Sequence, residues 1–182
     1  YQITMSDEQF VTQTMLTCLG NKRKLVGEIK KIAQEVATRL GKGKMRIVDG
    51  FSGSTVVSRE LASLAYDIHS NDMENYAYLM ARCFMEKPSE QHQEEIAFYI
   101  NSMNKLAENG PYINGIISRL YAPENTFDIK EGERVFYTRE NALIIDTLRS
   151  YISMVVPEHL QHYCLVPLLT RASIHANTAG VF

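Results

Sequence analysis

The chain has 182 residues, 45% of them hydrophobic and 22% charged, with a formal net charge of −2. That is long enough to bury a sizeable core as one domain or as part of a larger one. Three scattered cysteines (Cys18, Cys83, Cys164) without CxxC spacing, no apolar run of membrane-spanning length and no signal-peptide pattern speak against a disulfide framework, a zinc site, a membrane span and secretion. The expectation is therefore a soluble, cytoplasmic chain.

In chain order, residues 1–19 mix polar and apolar positions, with Phe10, Val11, Met15, Leu16 and Leu19 as the inward set. The first residue is Tyr rather than Met, which reads as a trimmed start. From Asn21 to Arg46 there are nine Lys or Arg against two Glu, a local excess of +7 that leaves −9 elsewhere. Basic clusters of this kind follow a phosphate backbone, although a solvated helix face gives the same pattern. Leu25, Ile29, Ile32, Val36 and Leu40 recur at helical spacing and predict one inward stripe, ended by Gly41 and Gly43.

The stretch from Arg46 to Met73 carries the strongest signal. Ile47-Val48 predicts a strand ending in Asp49, followed by the small-residue loop Gly50-Phe51-Ser52-Gly53-Ser54. A helical segment follows, and Tyr66–His69 predicts a second strand ending in Asn71-Asp72. Strand, glycine loop, helix, strand and acid form the layout of a nucleoside-cofactor half-site. Gly53 and Asp72 lie 19 positions apart, close to the roughly 20 that bring a carboxylate to a ribose. Phe51 stands where a dinucleotide pyrophosphate needs backbone approach, which argues against a nicotinamide-dependent oxidoreductase. A cofactor with an amino-acid tail, S-adenosylmethionine, fits better: Asp49 and the loop face its ammonium, and Asp72 its ribose. A tight βα turn without a ligand produces the same pattern.

Beyond Asp72, residues 73–87 predict a helix with Tyr76, Leu79, Met80, Cys83 and Phe84 on one face. Tyr66, Tyr76 and Tyr78 read as core and pocket wall. Pro88-Ser89-Glu90 restarts a helix that Asn109-Gly110-Pro111 breaks. Residues 111–133 form a long excursion, and a long loop in a compact domain is usually functional or mobile. A strand or turn over Val135–Thr138, a helix over 139–155 and a last helix from Pro157-Glu158, bent or interrupted at Pro167, complete the chain. His159 and His162 read as surface histidines, and no metal site is expected.

Several of these stretches, in order, resemble the adenine-specific DNA methyltransferases of the Dam-like (alpha) group. Leu19-Gly20-Asn21-Lys22 is similar to the family's amino-terminal cofactor motif, Asp49 to Ser54 to its glycine loop, and Ser70-Asn71-Asp72 to its acidic ribose motif. Leu168 to Phe182 resembles the segment that leads towards the family's DNA-reading region, and Phe136 to Asn141 is also similar to the family. The resemblance implies a Rossmann-like α/β fold with a parallel-rich sheet flanked by helices, incomplete in this chain. It divides the chain into amino-terminal helices (1–44), a cofactor half-site (45–87), a helix and loop excursion (88–134) and a helical region (135–182).

The implied activity is methyl transfer from S-adenosylmethionine to the exocyclic amine of adenine in double-stranded DNA. Asn21, Lys22, Asp49, Phe51, Ser52, Gly53, Ser54, Asp72 and Met73 would then hold the cofactor. Arg23, Lys24 and Asn177 would lie near DNA. Two departures stand out. Thr55 occupies a position that is usually glycine, where it either narrows the pocket or caps the next helix. The five prolines are all isolated, so the family's catalytic Asp/Asn-Pro-Pro-Tyr loop is absent from these residues. The chain then reads as a fragment without catalytic residues, or as a subunit whose partner chain carries that loop.

Overall fold

The computed structural model describes residues 22–177. They divide into two units, one up to Glu86 and one from Lys87. Among the described residues no helix is long and apolar enough to cross a membrane.

The first unit is a mixed α/β arrangement around a small parallel sheet. A short 3-10 turn, Lys22–Leu25, leads into helix α1, Val26–Arg39. Gly41 ends that helix with φ +64, and the N–H groups of Gly41 and Lys42 close back onto the Thr38 and Ala37 carbonyls. Strand β1 (Met45–Asp49), helix α2 (Val56–Leu61), strand β2 (Ala65–Ser70) and helix α3 (Asn75–Met85) follow. The two strands pair in parallel, with Ile47 opposite Ile68 and Asp49 opposite Ser70.

Alternation along the strands decides what each face meets. Ile47 and Ile68 pack under Val26, Val56, Val57 and Leu61, with Ile29 and Ala33 added from α1. The opposite face holds Arg46, Val48, Asp67 and His69, and Val48 is 68% exposed. There the Asp67 carboxylate meets Arg46 Nε at 2.8 Å and His69 Nε2 at 3.1 Å.

Two expectations are corrected here. The buried face of α1 is Val26 and Ala37, flanked by Ile29 and Ala33, whereas Leu25, Ile32, Val36 and Leu40 are exposed. The predicted stripe is rotated: Val26, Ile29 and Ala33 meet the cluster on α2, and of the expected set only Ile29 faces it. Tyr66 and Tyr78 are exposed rather than core: Tyr66 is the extra residue at the register shift between the Met45–Ala65 and Arg46–Asp67 pairs, and α3 buries Ala77 and Met80 instead.

The second unit is helical. Helix α4 spans Glu90–Asn109, α5 Ile116–Leu120, α6 Arg139–Val155, and α7 Gln161–Ile174 after a short turn at Glu158–Leu160. Ser89 and Thr138 cap α4 and α6 by accepting the N–H groups of His92 and Asn141, each worth about 1 kcal/mol. Met103, Leu148, Ile152, Val156, Leu160 and Cys164 form its core. Helix α7 continues through Pro167 rather than stopping at it. His162 is buried, in contrast to the surface position expected for it.

The excursion over 111–133 is anchored, not loose. The Asp146 carboxylate on α6 accepts the N–H groups of Gly115, Ile117 and Ser118 at 2.8–3.0 Å and so caps α5 from outside. Thr147 Oγ1 accepts the Ile113 N–H at 2.8 Å. A Cβ at Gly115 would stand 2.5 Å from the Asp146 carboxyl, so only glycine lets the backbone come this close.

Candidate cofactor site

The two parallel strands end side by side, and their loops are zipped together beyond the last sheet pair. Asn71 N–H donates to the Asp49 carbonyl at 2.8 Å, and Ser52 N–H donates to the Asn71 carbonyl at 2.9 Å. The Asn71 amide donates to the Gly50 carbonyl at 3.1 Å. Gly53 N–H then donates to Asp72 Oδ2 at 2.8 Å, joining the glycine loop to the acid across 19 residues. These bonds place Asp49 and Asp72 at one end of the sheet, with the small-residue bend between them.

Asp72 is held in place by its backbone neighbours. Its other oxygen accepts the Glu74 N–H at 3.0 Å, an Asx-type turn. The N–H groups of Glu74, Gly53 and Met73, helped by the Lys22 charge, hold its carboxyl below the usual aspartate range against slight desolvation. An ionised carboxylate offers about four acceptor positions, so it can still take a diol after two backbone bonds. Asp49 is oriented from behind: Ser58 Oγ donates to its Oδ2 at 2.7 Å, and Ser70 Oγ donates to Ser58 Oγ at 2.8 Å. Sequence reasoning missed both serines, because each is recognisable only once β1, α2 and β2 are stacked.

Gly50 and Gly53 face open space, with nothing within 4 Å of where a Cβ would stand. Gly53 has φ +49, which glycine adopts without penalty. Thr55 shares that left-handed region at φ +63 and is fully buried. A β-branched residue is strained there, which gives a physical reason for the glycine usual at this position. Its hydroxyl donates to the Ser54 carbonyl at 2.6 Å, and its side chain makes no capping bond to α2. Of the two expected roles for Thr55, side-chain capping is therefore ruled out.

The remaining predicted residues divide clearly. Lys22 Nζ donates to the Phe51 carbonyl at 3.0 Å and so belongs to the loop. Ser52 is buried, Gly53 and Ser54 are half-buried, and Phe51 and Met73 project outwards at 77% and 94% exposure. Asn21 lies outside the described residues. Arg23 lies in the turn before α1, and Lys24 beside it is exposed. Asn177 sits in the helical unit, where its N–H and amide donate to the Phe136 and Val135 carbonyls at 2.7 and 3.2 Å.

Residues 19–182 match the family described as D12 class N6 adenine-specific DNA methyltransferase. The chain belongs to this family. Three curated relatives are similar over 90% of the chain. Type II methyltransferase M.CviAII of Paramecium bursaria Chlorella virus 1 is 27% identical over 167 residues, which cover 47% of that protein. Type II methyltransferase M.NlaIII of Neisseria lactamica is 25% identical over 169 residues, also 47% of its length. Modification methylase StsI of Streptococcus sanguinis is 27% identical over 174 residues, 25% of its length. The chain thus spans about half, or less, of the relatives it matches. No solved structure matches it. Within a D12 methyltransferase, a loop and acid joined at the carboxyl ends of parallel strands stand where an α/β sheet binds its ligand.

Proposed function

We propose that this chain forms the S-adenosylmethionine-binding portion of a site-specific DNA adenine methyltransferase with a Rossmann-like sheet. The observation that carries the reading is the Gly53–Asp72 hydrogen bond, which fixes a carboxylate beside a glycine loop at two parallel strand ends. The residues fit the cofactor: open space lies beside Gly50 and Gly53, and an acid stands at each strand end, the one at Asp72 held ionised. Asp72 would accept the ribose hydroxyls and Met73 would lie on the adenine. Asp49 with the Phe51–Ser54 backbone would receive the methionyl ammonium. Lys22, with Asn21 next to it, would stand by the methionyl carboxylate, a charge-assisted contact.

The bound cofactor would supply a sulfonium methyl, whose carbon the exocyclic amine of an adenine attacks in line while the C–S bond breaks and the rest of the cofactor leaves as a neutral thioether. Such a displacement needs no metal and no covalent enzyme intermediate, so the protein contributes chiefly positioning. The adenine must first leave the duplex. Residues that grip the flipped base belong to a Pro-Pro-Tyr loop that these 182 residues lack. We place that loop elsewhere in the functional enzyme, so the chain alone binds cofactor without turnover.

Calorimetry with S-adenosylmethionine tests this reading. Asp72→Ala should weaken binding at least about ten-fold, the loss of one charge-assisted hydrogen-bond pair. Equal binding by parent and variant would remove the pocket described.

A second reading is favoured by the exposed face of the sheet, where Val48 is 68% exposed among the described residues. A parallel sheet is normally covered on both faces. On this reading the chain is a non-catalytic cofactor- or DNA-binding subunit, and a second chain supplies the missing strands and the catalytic loop. Methyl transfer on mixing with a candidate partner, absent from either chain alone, distinguishes the two.

A further inference from the structure

Arg119, Arg134 and Arg139 line a single cavity of about 500 Å³ in the helical unit, together with Ser118, Glu124 and Glu133. Each guanidinium is held in place. Arg119 Nε donates to the Gly115 carbonyl at 2.9 Å, and Arg139 Nη1 donates to the Ser118 carbonyl at 2.7 Å. Arg134 stands 5.5 Å from the centroid of the Tyr121 ring, which meets Phe136 edge-on at 5.7 Å. Among the described residues, none of the three forms an ion pair. Lys30, Lys31, Arg39, Arg46 and Arg82, by contrast, are each matched to a carboxylate.

The acids on the cavity wall do not cancel this charge. Glu133 directs its two oxygens at the backbone, accepting the N–H groups of Glu124 at 2.9 Å and Lys130 at 2.7 Å. Those two bonds hold its carboxyl below the usual range, so it stays ionised and committed to its own turn. Glu124 is the other acid, and it is exposed. Three cations therefore share one space with two acids, one of which already serves as a loop clasp.

A guanidinium carries five donors in a planar fork. A single bond to a carbonyl orients the group and leaves the rest of the fork available. Arg119 and Arg139 oriented in this way, with Arg134 over the Tyr121 ring, suit a compact anion with several acceptor oxygens in the one open cavity, and bidentate Arg–phosphate pairing is the strong form of that contact. The anchoring already described, from Asp146 and Thr147 to Gly115, Ile117, Ser118 and Ile113, makes the frame rigid before any ligand arrives.

We propose that this cavity is a phosphate-backbone contact for DNA, with Arg119 and Arg134 at its exposed side and Arg139 at its wall. The inference rests on the reading that the chain acts on DNA. It assigns that contact to the excursion and the start of α6, residues 111–139, rather than to Asn177, whose amide is engaged with Val135. Phosphate contacts position a protein on the duplex without reading sequence. The effect should therefore be the same on any duplex.

The test is fluorescence anisotropy of the 182-residue chain with a labelled DNA duplex across a salt series. The double variant Arg119→Gln/Arg134→Gln is compared with the parent, both checked for folding by circular dichroism. Both arginines are exposed, so the pair can be changed without emptying the core. The variant should bind about ten-fold more weakly or worse, and the slope of log affinity against log salt should fall by about one for every phosphate left without its arginine. Arg82→Gln, which removes a cation already paired with Glu86, should leave the slope unchanged. A folded double variant with parental affinity and slope overturns the cavity assignment but not the DNA reading. A parent that binds no duplex at all overturns both. Calorimetry with S-adenosylmethionine stands apart from either result, because Arg119 and Arg134 are not among the cofactor residues.

Discussion

In the helical unit six buried side chains meet in one cluster, with Ile152 and Cys164 fully enclosed. Among the described residues the sheet unit gathers Val26, Val56, Val57 and Leu61 into its cluster, and leaves Leu25, Ile32, Val36, Val48 and Tyr66 exposed. The contrast has a physical cause. A set of antiparallel-compatible helices closes its core with local partners, whereas a parallel sheet needs helices on both faces and further strands at its edges. Two strands alone cannot supply them. What the sheet unit does complete is the end of its strands, where backbone bonds and short polar side chains suffice. Its most ordered chemistry is therefore at its loop, while the sheet face that carries Val48 stays open among the described residues.

The comparison breaks most readily at the cores. Ile152→Ala should cost about 2–5 kcal/mol in urea unfolding followed by circular dichroism. Leu61→Ala should fall near the bottom of that range, because its cluster is smaller and its site collapses more easily. Equal losses would mean that the sheet unit is packed as well as the helical one. Next in size is Gly115→Ala, which pushes a methyl group into the Asp146 carboxyl and loosens three backbone bonds. About 1–3 kcal/mol should be lost, with faster amide exchange at Ile117 and Ser118. Unchanged exchange there would show that α6 does not hold the excursion.

At the cofactor loop the changes are smaller. Thr55→Gly releases a left-handed strain of about 1–2 kcal/mol but loses a buried side chain and its bond to Ser54. The melting midpoint should move little, within about 1 kcal/mol of parental stability. A large loss would show that the Thr55 side chain, not the turn, holds the loop. Acid should also act here. The Asp72 carboxyl titrates below its unfolded value, near pH 3.9, so its stabilisation is complete above that pH and lost as pH falls through the lower folded value. Asp72→Asn should flatten this acid limb, and an identical limb in both proteins would place the titration elsewhere. The smallest effect belongs to Ile32→Ser, on the exposed side of α1, which should shift stability by less than about 0.5 kcal/mol. A loss of several times that would restore the stripe read from spacing.

Much of the candidate site's geometry is legible in the sequence. The loop from Gly50 to Ser54 and the acid at Asp72 follow from residue types whose local preferences are strong: small residues at a strand end and a polar Asn-Asp stop. The break at Asn109-Gly110-Pro111 and the start of α6 at Arg139 follow from turn and capping chemistry in the same way. Less accessible were the Ser58–Ser70 pair behind Asp49, the Asp146 clasp and the arginine cavity. The first two join side chains and backbone from different elements, between 9 and 31 positions apart. Asn177 was likewise placed by its neighbours in sequence, while its carbonyl partners at Val135 and Phe136 lie about forty residues away, 42 in the case of Val135.

By itself the sequence determined where the chain bends, which short runs become strands and which small residues and acids stand at their ends. Those choices depend on steric and hydrogen-bonding preferences within a few residues. Only the tertiary structure decided which face of α1 is buried, that Thr55 is left-handed, and that three arginines line one cavity. Apolar spacing fixes the existence of a helical face, but the depth at which it packs depends on the surface opposite. In this chain Val26, Ile29 and Ala33 meet that surface, and Ile32 and Val36 do not.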